Sequence, residues 1–144
     1  MKPVVLVTGF EPFGGQDRNP SGNIAELLDT QCIEGRTIVG QVLPVEFERS
    51  HRRLSHLVRK LAPELVICLG VAGNRLVISL ERVAVNLDDA RIVDNAGKQP
   101  TDQPIGETRT GGVLVDLARE SDGAGFSGAR SRSRTLDVGG DLCV

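Results

Sequence analysis

The chain has 144 residues, enough for one compact domain, and 40% of them are hydrophobic although only 3% are aromatic. The net charge of −2 and the pI near 5.7 favour neither a nucleic acid nor an anionic membrane as partner, and no apolar run is long enough to span a bilayer. The three cysteines are irregularly spaced and the start of the chain has no signal-peptide pattern, so we expect a reduced, cytoplasmic protein.

The first half of the chain alternates between patterns typical of strands and of helices. Apolar runs that suit buried strands are separated by stretches in which apolar residues recur every three or four positions. We predict strands at 4–8, 37–45 and 65–70, and helices at 21–30 and 46–61. Ser21 is expected to cap the first helix, and Pro63 to end the second. This order predicts an α/β protein with a mainly parallel sheet and right-handed crossovers.

The stretch from Ile78 to Asn95 combines an apolar alternation with a dense polar run. The alternation around Glu81 predicts a half-buried strand, with Leu76, Ile78, Leu80 and Val83 as its apolar members. The polar run that follows consists of Asn86, Asp88, Asp89, Arg91, Asp94 and Asn95. The stretch is either a surface strand leading into a charged loop or an active-site edge that holds a carboxylate rigidly. In a parallel sheet the loops at 9–20, at 70–75 and after Val85 would meet at one edge, where sites form.

The loop at 9–20 is rich in Gly and Pro, but its glycines match neither a dinucleotide-binding motif nor a P-loop. Phe10 and Phe13, two of the four phenylalanines, lie in this loop, where polar residues are usual. They either cap the core from outside or form the wall of a pocket for a small uncharged ring. The sequence contains neither CxxC nor HExxH, so it supports no metal site, and it indicates no cofactor.

Five motifs follow one another in the order and at the spacing of one known family. They are VTGFEPFGG, NPSGN, LPVEF, LGVAGNR and ERVAVNLDDARIVDNAGKQPTDQPI, and over residues 3–105 they resemble pyroglutamyl peptidase I, or pyrrolidone-carboxylate peptidase. The resemblance implies a three-layer α/β/α sandwich. It implies a hydrolase, a thiol protease that removes N-terminal pyroglutamate (5-oxoproline) from peptides in the cytoplasm. It also implies a homo-oligomer, which is a tetramer in that family, and no cofactor.

The resemblance also gives roles to individual residues. Glu81 matches the acidic member of a triad of cysteine, histidine and acid. The matches to the pocket and its border are Phe10, Phe13 and Asn19, which would line the pyroglutamyl pocket, and Arg91 and Ile92, which would border it. Relatives often have Gln at the position of Val71, so one amide contact to the lactam is expected to be missing here.

The nucleophilic cysteine and the histidine of that family have no match in this chain. The family's nucleophile ends a segment like SAGTYVC, whereas Cys143 lies in GGDLCV. Cys68 belongs to a predicted buried strand, and His51 and His56 belong to a predicted helix on which they would face solvent. The 144-residue chain is therefore expected to be inactive.

Two functions from other classes remain open. One is a non-catalytic module that binds the pyroglutamyl lactam without cleaving it. The other is a phosphorylase-like enzyme that handles nucleosides or phosphate, which a similar sheet and a Gly-rich first loop would suit. The lack of a phosphate-binding lysine or arginine near Gly14 argues against the second.

From Gly106 onward the composition changes to a mixture of Gly, Ser and Arg that cannot bury a core. We therefore predict a pyroglutamyl-peptidase-like domain at 1–105 and a disordered, non-family tail at 106–144. The genetic code suggests a cause. Read one base later, Asp137–Val144 permits TSAGTYV followed by Cys, and Thr110–Asp122 permits PAAYLSTLPVKAM, both of which resemble family segments. We predict a frameshift between Ile105 and Thr110.

Overall fold

The computed structural model describes residues 2–73, 75–81 and 83–105 and the backbone at 113–114, and gives only the backbone for Val83. The elements are β1 (Val4–Phe10), α1 (Pro20–Leu28), β2 (Cys32–Ile33), β3 (Arg36–Leu43), α2 (Phe47–Leu61), β4 (Leu65–Cys68), β5 (Val83–Ala84) and β6 (Val113–Leu114). One sheet has the order β2-β3-β1-β4, in which β1 is parallel to β3 and β4 while β2 is antiparallel to β3. β5 and β6 form a separate antiparallel pair.

The predicted order of strands and helices and the parallel sheet are confirmed. The sequence does not predict β2, which is only two residues long.

The two helices cover opposite faces of the sheet. Alternate residues of β1 belong to two separate clusters, since side chains along a strand point to opposite faces. The cluster on the α1 side consists of Val5, Val7, Ala25 and Ile38. The cluster on the α2 side consists of Leu6, Leu43, Leu54 and Leu57. This arrangement of helix, sheet and helix is the predicted α/β/α sandwich.

Two glycines allow α1 to lie unusually close to the sheet. A Cβ atom at Gly40, on β3, would lie 1.9 Å from the Ala25 carbonyl oxygen, and one at Gly9, on β1, would lie 2.0 Å from the Ser21 carbonyl oxygen. Any larger residue would push the helix backbone away. The glycines therefore fix the beginning of α1 against the carboxyl end of β1, where the predicted pocket residues lie.

The prediction that Ser21 caps α1 is wrong. Asn19 is the N-cap residue, with an extended backbone, and its Oδ1 accepts a hydrogen bond from the Ser21 backbone N–H at 3.0 Å. The reason is Pro20, whose fixed φ suits the first helical position and places the cap one residue earlier. Ser21 lies inside the helix, and its Oγ accepts the Phe10 backbone N–H at 3.1 Å.

The predicted half-buried strand around Glu81 is also wrong. Only Val83–Ala84 forms a strand there, and residues 75–81 belong to none. Three apolar residues of the alternation are exposed, with Leu76 at 103%, Ile78 at 98% and Leu80 at 78%. Alternation alone does not make a strand, because a strand also needs a hydrogen-bonding neighbour and a surface that buries its apolar face. The part of the chain that the structure describes supplies neither for 75–81.

The second helix has the predicted apolar face. Phe47, Leu54 and Leu57 are buried, while His51 and His56 are exposed as expected. The helix ends at Leu61, and Ala62 follows with a left-handed φ of 43° just before Pro63. Among the described residues no helix is long and apolar enough to cross a membrane. The predicted disordered tail at 106–144 lies outside the described residues, except for the backbone of β6.

Candidate active site

The loop between β1 and α1 is held at both of its ends by Asn19, whose side chain is only 3% exposed. Its Oδ1 accepts hydrogen bonds from the Ser21 backbone N–H at 3.0 Å and from the Ser21 hydroxyl at 2.7 Å. Its Nδ2 donates to the Glu11 carbonyl oxygen at 3.0 Å. Asn19 therefore shapes the loop that carries Phe13. This role differs from the substrate contact that the family resemblance suggests, and it already uses the side-chain carbonyl oxygen.

The two phenylalanines of this loop have different surroundings. Phe10 is half-buried, ends β1 and packs against the α2-side cluster. Phe13 is half-buried farther along the loop, and its carbonyl oxygen accepts the Gln16 backbone N–H at 3.1 Å. Phe10 is therefore partly a core residue, whereas Phe13 lies in the turn that faces the later loops.

Asn95 ties the first loop to the loop at 88–103. Its side-chain amide donates to Glu11 Oε1 at 2.8 Å and to the Pro12 carbonyl oxygen at 3.0 Å. Its backbone N–H donates to the Val45 carbonyl oxygen at 2.8 Å, and Glu11 Oε1 accepts the Val45 N–H at 3.1 Å. Three chain segments thus meet at one point near the carboxyl ends of β1 and β3. The prediction that loops gather at this edge is confirmed for the loop at 9–20 and the loop after Val85.

Asp94 fixes the same loop to the beginning of α2. Its side chain is 4% exposed, and its Oδ2 accepts the Phe47 backbone N–H at 3.1 Å. Its Oδ1 accepts the backbone N–H groups of Ala96 at 2.9 Å and Lys98 at 2.7 Å. Glu46, the N-cap residue of α2, makes no capping hydrogen bond of its own. Asp94 therefore caps α2 from a distant part of the chain, and its negative charge suits a helix N-terminus.

Arg91 and Ile92 lie beside these anchored residues. Ile92 is half-buried against the first loop, since a Cβ atom at Gly14 would lie 3.5 Å from Ile92 Cδ1. Arg91 is exposed, and its carbonyl oxygen accepts Gln99 Nε2 at 3.1 Å. The structure thus brings Ile92 close to the loop that carries Phe13. A pocket with Phe13 and Ile92 in its wall requires this proximity.

Glu81 forms an ion pair with Arg75, in which Arg75 Nη1 meets Glu81 Oε1. The Glu81 side chain is 26% exposed, so the carboxylate is neither fully buried nor free in solvent. Val71, on the same connection after β4, is half-buried. The ion pair fixes the position of the Glu81 carboxylate on this connection.

Two further charged residues of the 88–103 loop, Asp88 and Lys98, lie near α2. Asp88 exchanges two backbone hydrogen bonds with Gln103, at 2.7 and 3.0 Å. Burial raises the pKa of Asp88, and the nearby His51 opposes that shift. Lys98 Nζ lies 3.0 Å from Glu48 Oε1, and its hydrogen bond and charge lower the pKa of that exposed carboxyl. Within the described residues no group of three His, Cys, Asp or Glu side chains is arranged to hold a metal ion.

Sequence reasoning missed the residues that assemble this edge. Glu11, Asp94 and Asn95 hold the loops in place, but in the sequence they are only members of polar stretches. The sequence does contain one signal for them, the length of the polar run. A loop that is merely solvated needs fewer polar residues. That signal does not distinguish the buried Asp94 from the exposed Asp89.

The fold and this edge together define an α/β protein whose candidate site lies at the carboxyl ends of parallel strands, as in many α/β enzymes. Comparison with known proteins makes the assignment specific. Residues 3–113 match the family model for pyroglutamyl peptidase, and the chain belongs to that family.

Curated relatives and solved structures agree with this assignment. Over 103 residues the chain is 47% identical to the pyrrolidone-carboxylate peptidase of Bacillus cereus (strain G9842), a match that covers 72% of this chain and 48% of the relative. The pyrrolidone carboxyl peptidase from Thermococcus litoralis superposes with a TM-score of 0.74 at 43% identity, covering 79% of this chain and 51% of that one. The enzyme from Pyrococcus furiosus gives 0.75 at 43% identity, covering 77% and 53%. The chain therefore spans about half the length of the relatives it matches.

Proposed function

We propose that this chain is the pocket-bearing half of a cysteine peptidase that removes N-terminal pyroglutamate from peptides. The observation that supports this most directly is the junction at Asn95, which joins the loop of Phe13 to the loop of Arg91 and Ile92. The active protein is further proposed to be a cytoplasmic homo-oligomer, as the family resemblance implies.

The substrate explains why such a pocket is mainly apolar. A pyroglutamyl residue has no free amino group, so a charged side chain has nothing to recognise at the end of the peptide. A flat ring is better held between apolar side chains, with a few placed donors and acceptors for its lactam N–H and C=O. Phe13 and Ile92 are proposed as the apolar wall, with Phe10 beneath them as a partly buried support.

The proposed chemistry needs a thiolate, a histidine that forms it and later protonates the leaving amine, and an acid that orients the histidine. Glu81 is proposed as that acid. Its ion pair with Arg75 keeps it in place until the histidine is added. The cysteine and the histidine are proposed to belong to the reading frame displaced by one base after Ile105.

The function is tested by expressing the gene in its given frame and with one base removed between the codons of Ile105 and Thr110. The restored product is expected to hydrolyse a pyroglutamyl anilide and to lose that activity on thiol alkylation, whereas the 144-residue chain is expected to do neither. Binding of free 5-oxoproline by the restored product without hydrolysis would favour the lactam-binding module instead. If the restored frame encodes no Cys-Asn and no later histidine, the proposal is wrong.

The pocket is tested by Phe13→Ala in the restored protein. Losing the ring should raise KM by about ten- to a hundredfold, because an aromatic contact of this kind contributes about 1.5–3 kcal/mol. The melting temperature should change little, since Phe13 is not part of either core cluster.

Phe47→Ala is the matched control for Phe13→Ala. Phe47 is buried, so its loss should lower stability by about 3–5 kcal/mol and leave KM near the parent value. A large drop in melting temperature for Phe13→Ala, with KM unchanged, would show that Phe13 is a structural residue and not a pocket wall.

A further inference from the structure

Residues 75–81, RLVISLE, form an exposed apolar stretch with one charge at each end, which we call the 75–81 segment. Its aliphatic side chains lie in solvent, since Val77 is 74% exposed and Ile78 is 98% exposed. Among the described residues no strand pairs with the segment. Segments of six or seven residues that have a high β-propensity, little net charge and neither Pro nor Gly are the ones that pair with strands of other molecules. The 75–81 segment therefore has the composition of an intermolecular strand.

Within one chain the ion pair between Arg75 and Glu81 bends the segment back on itself. A fully extended segment would place these two residues about 20 Å apart, which is farther than their side chains can bridge. The ion pair is partly exposed, because the side chains of Arg75 and Glu81 are 40% and 26% exposed. Water and salt weaken such a pair, so the segment can open at little cost.

The order of residues in the 75–81 segment is complementary to itself when two copies run antiparallel. With Ile78 opposite Ile78 of the second copy, Arg75 lies opposite Glu81 and Leu76 lies opposite Leu80. The same pairs form again on the other side of a twofold axis through Ile78. We propose that the 75–81 segments of two copies of this chain pair in this register and form a dimer. Each Arg75 then exchanges its own Glu81 for that of the other copy.

The charges at the two ends of the segment favour this occupant and this register over the alternatives. A parallel pair would place Arg75 opposite Arg75 and Glu81 opposite Glu81, and like charges directly opposite each other are destabilising. An antiparallel pair shifted by two residues would lose both ion pairs. A partner with a strong charge of one sign would meet an opposing charge at one end of the segment. A second copy in the stated register matches both ends and brings the apolar side chains of the two strands together.

The dimer is tested by sedimentation and light scattering of the 144-residue chain over a dilution series from about 1 mM to about 1 µM. The expected result is a reversible change from two copies to one as the protein is diluted. At the high concentration every second backbone amide between Leu76 and Leu80 should exchange with deuterium at least about tenfold more slowly, because it becomes hydrogen-bonded to the second copy. A chain that stays monomeric at all concentrations, or a dimer whose 75–81 amides are unprotected, would overturn the proposal.

Reversing the charges tests the register. Arg75→Glu and Glu81→Arg each place like charges opposite each other at both ends of the pair, so each variant alone should dimerise at least about tenfold more weakly than the parent. A one-to-one mixture of the two variants should dimerise like the parent, because each copy then meets the opposite charges. The double variant R75E/E81R should also dimerise with itself. A loss of structure cannot produce this recovery, so a mixture that remains monomeric would contradict the proposed register.

Ile78→Lys and Ile33→Lys form a matched pair of variants, since both isoleucines are exposed and Ile33 lies on β2 in the main sheet. Ile78→Lys places two lysines opposite each other on the twofold axis and should weaken the dimer by at least about tenfold. Ile33→Lys should dimerise like the parent, and circular dichroism shows whether each variant is folded. Equal dimerisation by the two variants would show that the interface lies elsewhere.

The dimer and the proposed function are tested separately. Dimerisation is measured on the 144-residue chain without substrate, and hydrolysis is measured on the restored-frame protein. A monomeric 144-residue chain would overturn the dimer and leave the proposed function as it stands. A restored-frame protein that cleaves nothing would count against the proposed function and leave the dimer as it stands.

Discussion

Asp94→Asn is expected to lower the free energy of unfolding by about 2–4 kcal/mol and the melting temperature by roughly 10 °C. The two carboxylate oxygens of Asp94 accept three backbone N–H groups, at 3.1, 2.9 and 2.7 Å, in a site that is 4% exposed. Asparagine has the same shape but only one acceptor oxygen, so its NH₂ group must face a backbone donor. Hydrogen bonds to a charged acceptor are also stronger than those to a neutral one. Urea denaturation measures the loss.

Asp17→Asn is the control for Asp94→Asn, since Asp17 is exposed on the first loop and its substitution removes the same charge. It should change stability by less than about 0.5 kcal/mol. Deuterium exchange adds a local measurement: Asp94→Asn should speed exchange at the Phe47, Ala96 and Lys98 amides in particular. Equal stability of the two variants would mean that the Asp94 contacts do not hold the 88–103 loop to α2.

The secondary structure of the first half could be predicted because each element there has its neighbours nearby in the sequence. The buried strand β1 and the amphipathic helix α2 are specified by local periodicity, and parallel pairing follows from the alternation of strand and helix. The wrong prediction that Ser21 is the N-cap residue of α1 also has a local cause. Pro20 favours the first helical position, and this effect outweighs the preference of serine for the N-cap.

The strand predicted around Glu81 could not be judged from its own sequence. Its apolar alternation is real, but Leu76, Ile78 and Leu80 have no covering surface among the described residues. Whether such a segment becomes a strand depends on a partner that lies far away in sequence. The alternation is exposed for this reason, because among the described residues no strand pairs with 75–81.

The assembly of the candidate site was the least predictable part. The family resemblance places Phe13, Arg91 and Ile92 near the substrate, but it does not say what holds them. Asn95 and Asp94 hold them, through contacts to residues that lie 84 and 47 positions away in the sequence. A sequence pattern reports periodicity over a few residues, so it cannot show which distant backbone group a polar side chain will meet.

Glu81→Gln in the restored-frame protein is expected to reduce kcat for a pyroglutamyl anilide by roughly a thousandfold or more, with KM near the parent value. The reason is that glutamine keeps the shape of the side chain but cannot orient and stabilise a histidine that becomes charged during the reaction. Glu26→Gln, on the exposed face of α1, is the matched control and should retain the parent kcat.

Because Glu81 also pairs with Arg75, a general loss of structure must be separated from a loss of chemistry. Binding of 5-oxoproline and the melting temperature make that separation, and both should stay close to the parent values in Glu81→Gln. A kcat within a few-fold of the parent would remove Glu81 from the mechanism, and the acid that orients the histidine would then have to lie elsewhere in the protein.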